Sequence, residues 1–258
     1  MTNKIKQFAA LLAEAEMNRI GISPITAVDS ELSVKEAYHI QLENIQNKVA
    51  QGQKIVGKKI GLTSLAMQNL LGVDEPDYGH LLDSMVVENG GALSIDRVLQ
   101  PKVEGEIAFI LKKELRGPNV TALDVLQATD YVVPALEIVD SRIKDWKIKL
   151  QDTVADNGSS SYFVLGGKPT KIENIDLELI GMVLTKNGEL VNTGVGAAAL
   201  GNPANCVAWL ANRLAEFDIS LKEGEVILSG ALSAAVVAQA GDTFTARFAH
   251  IGQVSVHF

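Results

Sequence analysis

Three glutamates lie inside apolar stretches of the kind that form β-strands. Glu104 and Glu106 occur in PKVEGEIAFIL (101–111), and Glu137 occurs in VVPALEIVDSRI (132–143). Because side chains alternate faces along a strand, Glu104 and Glu106 point the same way, while their apolar neighbours form the opposite face. Two carboxylates this close repel each other, and they stay ionised only when a cation, a basic side chain or bulk water offsets the repulsion.

A divalent metal ion is one way to offset this repulsion. Hard cations such as Mg²⁺ and Mn²⁺ prefer oxygen ligands, with water or substrate oxygens completing the coordination. A buried carboxylate without a partner is costly, so three of them favour a shared role as ligands. The simpler alternative is that each glutamate pairs with a lysine or arginine, or lies on a solvated sheet face. The residues alone leave both open.

A pair of lysines occurs in VGKKIGLTS (56–64). Alternation places Lys58 and Lys59 on opposite faces of a strand, so we expect one of them to face inward. A partly buried lysine near an anionic substrate can hold a carboxylate or take part in proton transfer. The simpler alternative is a solvated lysine at a strand edge.

Two polar segments are predicted to be loops. EPDYGHL contains Asp77 and His80, and TVADNGSSSYFVLGG carries Asn157 and Ser160 ahead of a strand. Loops on rigid scaffolds often supply catalytic groups, although ordinary turn chemistry explains both segments equally well. The GxSxG, P-loop and GxGxxG patterns are absent from the sequence, which disfavours serine hydrolases, P-loop NTPases and Rossmann enzymes.

Composition and charge narrow the class of protein. The 258 residues are 47% apolar and 21% charged, as in ordinary globular proteins, and the formal charge of −8 disfavours nucleic-acid binding. The single cysteine, Cys206, excludes an internal disulfide. The first twenty residues lack the apolar core of a signal peptide, and no stretch is long enough to span a bilayer, so we expect a cytoplasmic protein.

The helical elements are predicted mainly at the start of the chain. Apolar spacing predicts a helix over 3–18. A second helix begins with the capping-box pattern SVKE, in which Ser33 is the N-cap and Glu36 lies three residues further on. A strand is predicted within 54–64, followed by a short helix over 65–71.

From about residue 93, β-strand patterns dominate the sequence. They are interrupted by one helix over 202–218 and cover 103–112, 131–139, 161–166, 179–186, 225–229, 243–248 and 252–258. The pattern predicts an α+β fold, with a smaller helical part over 1–92 and a larger β-rich part over 93–258.

Six stretches of the sequence occur in the order found in one enzyme family. They are GKKIGLTS, GVDEPDYGHLLDSM, QPKVEGEIAFIL, PALEIVDSRIKDW, DTVADN and GAAALGNPANCVAWLANRLA. In these stretches the chain resembles the 2-hydroxypenta-2,4-dienoate (2-oxopent-4-enoate) hydratases. They belong to the hydratase/decarboxylase family of the fumarylacetoacetate-hydrolase-like superfamily and serve the meta-cleavage route of aromatic degradation. The resemblance covers nearly the whole chain.

The resemblance implies a fold, a cofactor and an assembly. The implied fold is a mixed β-barrel or roll of the fumarylacetoacetate-hydrolase C-terminal-domain type, with a smaller helical N-terminal part. The implied cofactor is Mg²⁺ or Mn²⁺, bound by Glu104, Glu106 and Glu137. The family also implies a homo-oligomer and leaves open a complex with the paralogous decarboxylase or hydratase.

The implied reaction is the metal-dependent addition of water to a small 2-hydroxy dienoate. The metal chelates the carboxylate and the 2-oxygen, C5 is protonated, water adds at C4, and the product is 4-hydroxy-2-oxopentanoate. By the same resemblance, Lys59 and Asp77 serve proton transfer and water orientation, while Ser160 and Asn157 contact the substrate.

Related activities remain open at this point. 4-Oxalocrotonate decarboxylase shares the fold, the three glutamates and the lysine. The acid at Asp77 favours the hydratase, whereas GSSS (158–161) and the Ala234–Ala235 pair follow the decarboxylase pattern. An acylpyruvate hydrolase would need a base drawn from Asp77 and His80, and the non-enzyme alternative is a metal-stabilised scaffold.

Overall fold

The computed structural model of the protein describes residues 2–65, 68–69 and 72–258. Its helices are α1 (Thr2–Asn18), α2 (Ile25–Val28), α3 (Val34–Ala50), α4 (Ala122–Ala128), α5 (Leu150–Ala155) and α6 (Pro203–Ala215). Its strands are β1 (Ile55–Gly61), β2 (Asp77–Leu82), β3 (Val86–Val87), β4 (Lys102–Leu111), β5 (Thr129–Val139), β6 (Ser160–Leu165), β7 (Gly181–Lys186), β8 (Glu189–Val195), β9 (Val226–Ala231), β10 (Val236–Val237), β11 (Thr243–Phe248) and β12 (Gly252–His257).

A long mixed sheet of eight strands forms the centre of the fold. Seven strands follow the order β2-β1-β9-β4-β5-β6-β3, and β10 pairs with the start of β4. Neighbouring strands are antiparallel except for the parallel pairs β1–β9 and β3–β6. This curled sheet with few helices confirms the predicted α+β roll.

A second sheet of four strands, in the order β12-β11-β7-β8, covers one face of β4. A β-carbon added at Gly105 would lie 2.3 Å from Met182 Sδ of β7, so the two sheets pack closely at this point. Buried Val103 lies on the same face of β4 as Gly105. Glu104 and Glu106 therefore share the opposite face, as the alternation predicts.

Local signals explain where the longer helices begin. The Ser33 hydroxyl accepts a hydrogen bond from the Glu36 N–H at 3.2 Å, and the Glu36 carboxylate accepts one from the Ser33 N–H at 3.0 Å, so the predicted capping box is confirmed. Helix α6 begins at Pro203, and the preceding Asn202 side chain accepts a hydrogen bond from the Ala204 N–H. None of the helices in the described residues has both the length and the apolar character needed to cross a membrane.

Periodicity missed several elements. The loop predicted for EPDYGHL is wrong over Asp77–Leu82, which is the fully buried strand β2. Antiparallel pairing with β1 satisfies its backbone groups, and loop-like composition does not reveal such pairing. The short helices α4 and α5 and the exposed strand β8 are not predicted either. The helix predicted over 65–71 extends over residues outside the described ranges.

The long sheet joins the two parts predicted from the sequence. Strands β1 and β2 lie within 1–92, yet β1 pairs with β9, and β9 pairs with β4. The division at residue 92 stays a prediction, and the sheet runs across it.

Candidate active site

Strand register brings the three predicted glutamates together. Antiparallel pairing of β4 with β5 places Glu104 directly opposite Glu137, and Glu106 lies two residues further along the same face of β4. One carboxylate oxygen from each of the three lies within 4.8 Å of the others. Glu106 and Glu137 are fully buried, whereas Glu104 is partly exposed, so the cluster opens at Glu104.

Burial and mutual repulsion disfavour the charged forms of these glutamates. Burial, followed by repulsion from Glu137, raises the pKa of Glu104 to about 7. Burial, with Glu137 and Glu104 as the next causes, raises the pKa of Glu106 well above its usual range. Burial also raises the pKa of Glu137, with Lys59 acting in the opposite direction. The cluster therefore needs more positive charge than Lys59 supplies to hold three carboxylates ionised.

The donor set fits a divalent cation. Glu106 Oε2 accepts a hydrogen bond from the Gly230 N–H at 2.7 Å. Glu106 Oε1 and both oxygens of Glu137 are buried and have no hydrogen-bond partner among the described residues. Buried polar atoms are normally paired, so three free carboxylate oxygens at one point indicate a ligand that binds oxygen.

Lys59 lies between the cluster and Asp77. Its buried Nζ donates to the Gly158 carbonyl at 3.0 Å and to Asp77 Oδ1 at 3.2 Å, and it lies 3.6 Å from Glu137 Oε2. Burial opposes the charge on Lys59, but Asp77 and the three glutamates outweigh it and raise the pKa of this lysine. Its contacts fix the Lys59 side chain between Asp77 and Glu137.

Asp77 is the first residue of β2 and lies opposite Gly61 of β1. Its Oδ1 accepts from Lys59, and its Oδ2 accepts from the Thr153 hydroxyl at 2.9 Å. A β-carbon at Gly61 would lie 2.3 Å from Asp77 Oδ1 and 2.5 Å from Lys59 Nζ, so this ion pair requires a glycine. Sequence reasoning missed both Gly61 and Thr153. Their roles depend on contacts in the folded structure, which the spacing of residues along the chain does not show.

Lys59 is buried, as expected for one of the two lysines, and Lys58 is buried as well. Alternation does place it on the opposite face from Lys59, where Glu225 forms an ion pair with its Nζ at 2.7 Å. Strand β1 lies inside the long sheet, between β2 and β9, and its residues from Gly57 to Gly61 are buried on both faces.

The segment before β6 closes over the Lys59–Asp77 pair. The Asn157 amide does not reach the glutamates, because its oxygen accepts from the His80 N–H at 2.8 Å and its nitrogen donates to the His80 carbonyl at 3.0 Å. Ser160 is buried, and its hydroxyl has no hydrogen-bond partner among the described residues. The Asn157 amide thus holds the backbone of β2, and the Ser160 hydroxyl lies near Glu137, whose pKa it lowers.

His80 lies apart from this constellation. It is three residues from Asp77 along β2, so the two side chains point to opposite faces. Its Nδ1 lies 2.9 Å from Gln41 Oε1, and burial, together with the charge of Lys58, lowers its pKa to about 3. The structure does not bring Asp77 and His80 together as an acylpyruvate hydrolase would need.

A cavity of about 390 Å³ adjoins the cluster at Glu104. Its walls are formed by Lys102 and Glu104 of β4, the end of β1 with the following segment (61–64), Ala198, and the segment after β9 (231–235). A small organic acid can therefore reach the glutamates from this side.

Comparison with known proteins identifies the family. A family model described as fumarylacetoacetate (FAA) hydrolase C-terminal matches residues 61–258. The chain belongs to this family. The match includes all three glutamates and Asp77, and it begins two residues after Lys59.

Two dienoate hydratases and a decarboxylase are similar to this FAA hydrolase family member. A 2-hydroxypent-2,4-dienoate hydratase from Pseudomonas putida is 52% identical over 84% of this chain and 98% of its own. A 2-hydroxyhexa-2,4-dienoate hydratase from Comamonas testosteroni is 49% identical over 96% of this chain and 94% of its own. The structure of 4-oxalocrotonate decarboxylase from Pseudomonas putida G7, complexed with magnesium and adipate, is 40% identical, with a TM-score of 0.97 over 100% of this chain and 98% of its own.

Proposed function

We propose that this protein is a divalent-metal-dependent hydratase, a lyase that adds water to 2-hydroxypenta-2,4-dienoate and forms 4-hydroxy-2-oxopentanoate. The observation that carries the proposal is the convergence of three glutamates beside the Lys59–Asp77 pair. The relatives at 52% and 49% identity, which are named as dienoate hydratases, support the same reaction. This reaction belongs to the meta-cleavage degradation of aromatic compounds.

Glu104, Glu106 and Glu137 would hold the cation, which we propose to be Mg²⁺ or Mn²⁺. When bound, the cation supplies Lewis-acid stabilisation of negative charge on the 2-oxygen and the carboxylate of the substrate. Two features of the chain favour this role: the ligands are all carboxylate oxygens, and three of these oxygens lack partners among the described residues.

Lys59 and Asp77 are the residues that we propose move protons. Lys59 Nζ lies 3.6 Å from Glu137 and 3.2 Å from Asp77, so it lies between a proposed metal ligand and the acid. Loss of the enol proton and protonation at C5 give the conjugated 2-oxo-3-enoate. The hydroxyl of water then adds at C4 and a proton at C3. Thr153 fixes Asp77 in the orientation needed to accept the proton of that water.

Ser160 and Asn157 have different roles in this proposal. The buried Ser160 hydroxyl is suited to contact the substrate, since it has no other partner among the described residues. Asn157 acts indirectly, because its amide holds the backbone of β2 and thereby the position of Asp77.

4-Oxalocrotonate decarboxylase activity is the second candidate. It is favoured by the 40% identical decarboxylase structure that matches the whole chain. An acid held beside a lysine at the site suits activation of water, whereas loss of CO₂ needs no such group, so Asp77 favours hydration.

A direct assay separates the two candidates. The purified protein with Mg²⁺ is offered 2-hydroxypenta-2,4-dienoate and 4-oxalocrotonate in separate reactions, with products identified by mass and CO₂ measured in the second. We expect 4-hydroxy-2-oxopentanoate from the first substrate and no CO₂ from the second. Release of CO₂ without hydration would establish the decarboxylase instead.

A variant of Asp77 tests the proposed proton transfer. Asp77→Asn keeps the side-chain shape but removes the base, so we expect hydration to slow by about 100-fold or more while Mg²⁺ still stabilises the protein. Asp96→Asn makes the same change at an exposed aspartate and serves as the control. A cytoplasmic location and a homo-oligomer remain proposals based on the sequence and the family.

A further inference from the structure

Three successive residues between α5 and β6 have a left-handed backbone. The φ angles are 57° at Asn157, 59° at Gly158 and 53° at Ser159. Glycine adopts this conformation freely and asparagine tolerates it, whereas serine rarely does. We call residues 157–159 the left-handed turn. Such a run persists only where the surrounding contacts hold it in place.

The left-handed turn supplies one of the contacts that fix Lys59. The Gly158 carbonyl accepts a hydrogen bond from Lys59 Nζ at 3.0 Å, and Asp77 Oδ1 accepts another at 3.2 Å. Because the peptide group is planar, the direction of this carbonyl follows from ψ of Gly158, which is 29°, and φ of Ser159, which is 53°. A change in either angle would therefore turn the carbonyl away from the ammonium.

Arg142 contacts the chain on both sides of the left-handed turn. Its Nε donates to Asp156 Oδ1, and its Nη2 donates to the Asp156 carbonyl. Its Nη1 donates to the Ser160 carbonyl at 3.2 Å and to the Asp140 carbonyl at 2.7 Å. Asp156 precedes the turn and Ser160 follows it, and both are buried, as is Arg142. The planar guanidinium thus fixes the two ends of the turn relative to each other.

Arg142 lies outside the cavity that adjoins Glu104. It forms part of the wall of another cavity, beside Glu16 of α1 and Lys48 of α3. The walls of the cavity at Glu104 are formed by other segments of the chain. Arg142 can therefore act on the reaction through the left-handed turn, and not by contact with a substrate in that cavity.

We propose that Arg142 is a positioning residue for hydration. It holds the left-handed turn, and the Gly158 carbonyl of that turn holds the Lys59 ammonium beside Asp77 and Glu137. The assignment rests on the proposed function, in which Lys59 moves protons, because a misplaced ammonium would slow that step.

Arg142→Lys tests the assignment while keeping a positive charge beside Asp156. An ammonium lacks the planar fork, so it cannot bind the Asp156 and Ser160 carbonyls together. We expect kcat for 2-hydroxypenta-2,4-dienoate to fall by about 10-fold or more, with KM changed by about twofold or less. Proton transfer then limits the rate, so the solvent deuterium isotope effect on kcat should rise. A loss of folded molecules would lower kcat but leave that isotope effect unchanged.

Two variants serve as controls. Arg116→Lys makes the same change at an exposed arginine and should leave kcat as in the unmodified protein. Val125→Ala removes buried methyl groups from α4, so it should lower the melting temperature without changing kcat or the isotope effect of the folded protein. Equal kcat for Arg142→Lys and Arg116→Lys overturns the assignment. A lowered kcat with the isotope effect of the unmodified protein overturns it as well.

Crystal structures of the unmodified protein and of Arg142→Lys separate this assignment from the hydratase function. We expect the variant to lose the contact between Lys59 Nζ and the Gly158 carbonyl, whatever reaction the protein catalyses. A variant that keeps this contact refutes the role of Arg142. Absence of hydration by the unmodified protein refutes the proposed function, and the two structures then decide the role of Arg142. Where Arg142→Lys does not fold, Asp156→Asn replaces it in both measurements, because the amide keeps the side-chain shape and removes the charge that Nε binds.

Discussion

Glu106 and Glu137 are the most deeply buried of the three glutamates, and substitution of Glu106 tests the proposed metal site directly. Glu106 is fully buried, with one oxygen bound to the Gly230 N–H and the other unpaired among the described residues. Glu106→Gln keeps the first contact and adds an N–H group that can donate to the neighbouring carboxylates. We therefore expect the variant without metal to gain about 1–3 kcal/mol in free energy of unfolding.

The same variant should lose most of its response to the cation. We expect Mg²⁺ binding to the folded state to raise the melting temperature of the unmodified protein by mass action, and loss of one proposed ligand to remove most of that rise. Thermal melts in EDTA and in millimolar Mg²⁺ provide the measurement. Glu88→Gln, at an exposed position, is the control. An undiminished Mg²⁺ response in Glu106→Gln would show that the cluster is not the metal site.

His80 should make the protein sensitive to acid. Burial, with Lys58 nearby, holds its folded-state pKa at about 3, below the unfolded value of about 6.5. Between these values the unfolded state binds more protons, so stability is lost as the pH falls below about 6.5. From pH 7 to pH 5 the unmodified protein should lose about 2 kcal/mol relative to His80→Gln. Urea unfolding of both proteins at several pH values measures this difference, and parallel curves would contradict the prediction.

At the scale of elements, close contact between β1 and β2 explains why Gly61 has no side chain. A methyl group there would overlap both Asp77 Oδ1 and Lys59 Nζ, so Gly61→Ala should separate the ion pair and lower kcat by about 10-fold or more. Gly181, in β7, has open space at the corresponding position, so Gly181→Ala is the matched control and should leave kcat nearly unchanged. Equal rates for the two variants would argue against a catalytic Lys59–Asp77 pair.

Sequence periodicity predicted the features of the site that follow from side-chain alternation within a single strand. Alternation placed Glu104 and Glu106 on one face, and the apolar surroundings of Glu137 made it the third candidate. The strand register then set Glu137 opposite Glu104. Asp77 was assigned to a loop because its neighbours have turn-forming side chains, whereas the partner that makes β2 a strand lies in β1. The backbone clamp formed by Asn157 was equally inaccessible, since it joins residues 77 positions apart.

At the scale of the whole molecule, the groups proposed for catalysis come from both sides of residue 92. Lys59 and Asp77 belong to β1 and β2, while the glutamates belong to β4 and β5, and β9 connects the two pairs of strands. The site therefore exists only when the long sheet is complete. A fragment over 93–258 would keep the three glutamates but lose the ammonium that faces Glu137.

We expect this 93–258 fragment not to fold cooperatively. Loss of β1 leaves one edge of β9 unpaired along Val226–Leu228 and removes Lys58, the ion-pair partner of the buried Glu225. A buried charge without its partner destabilises a protein by about 3–5 kcal/mol, a large part of the stability of an ordinary domain. Near-ultraviolet circular dichroism during heating should show a sharp transition for the full chain and none for the fragment. If the fragment melts sharply and binds Mg²⁺, the β-rich part is an independent domain, and the proton-transferring pair is supplied by a separate folding unit.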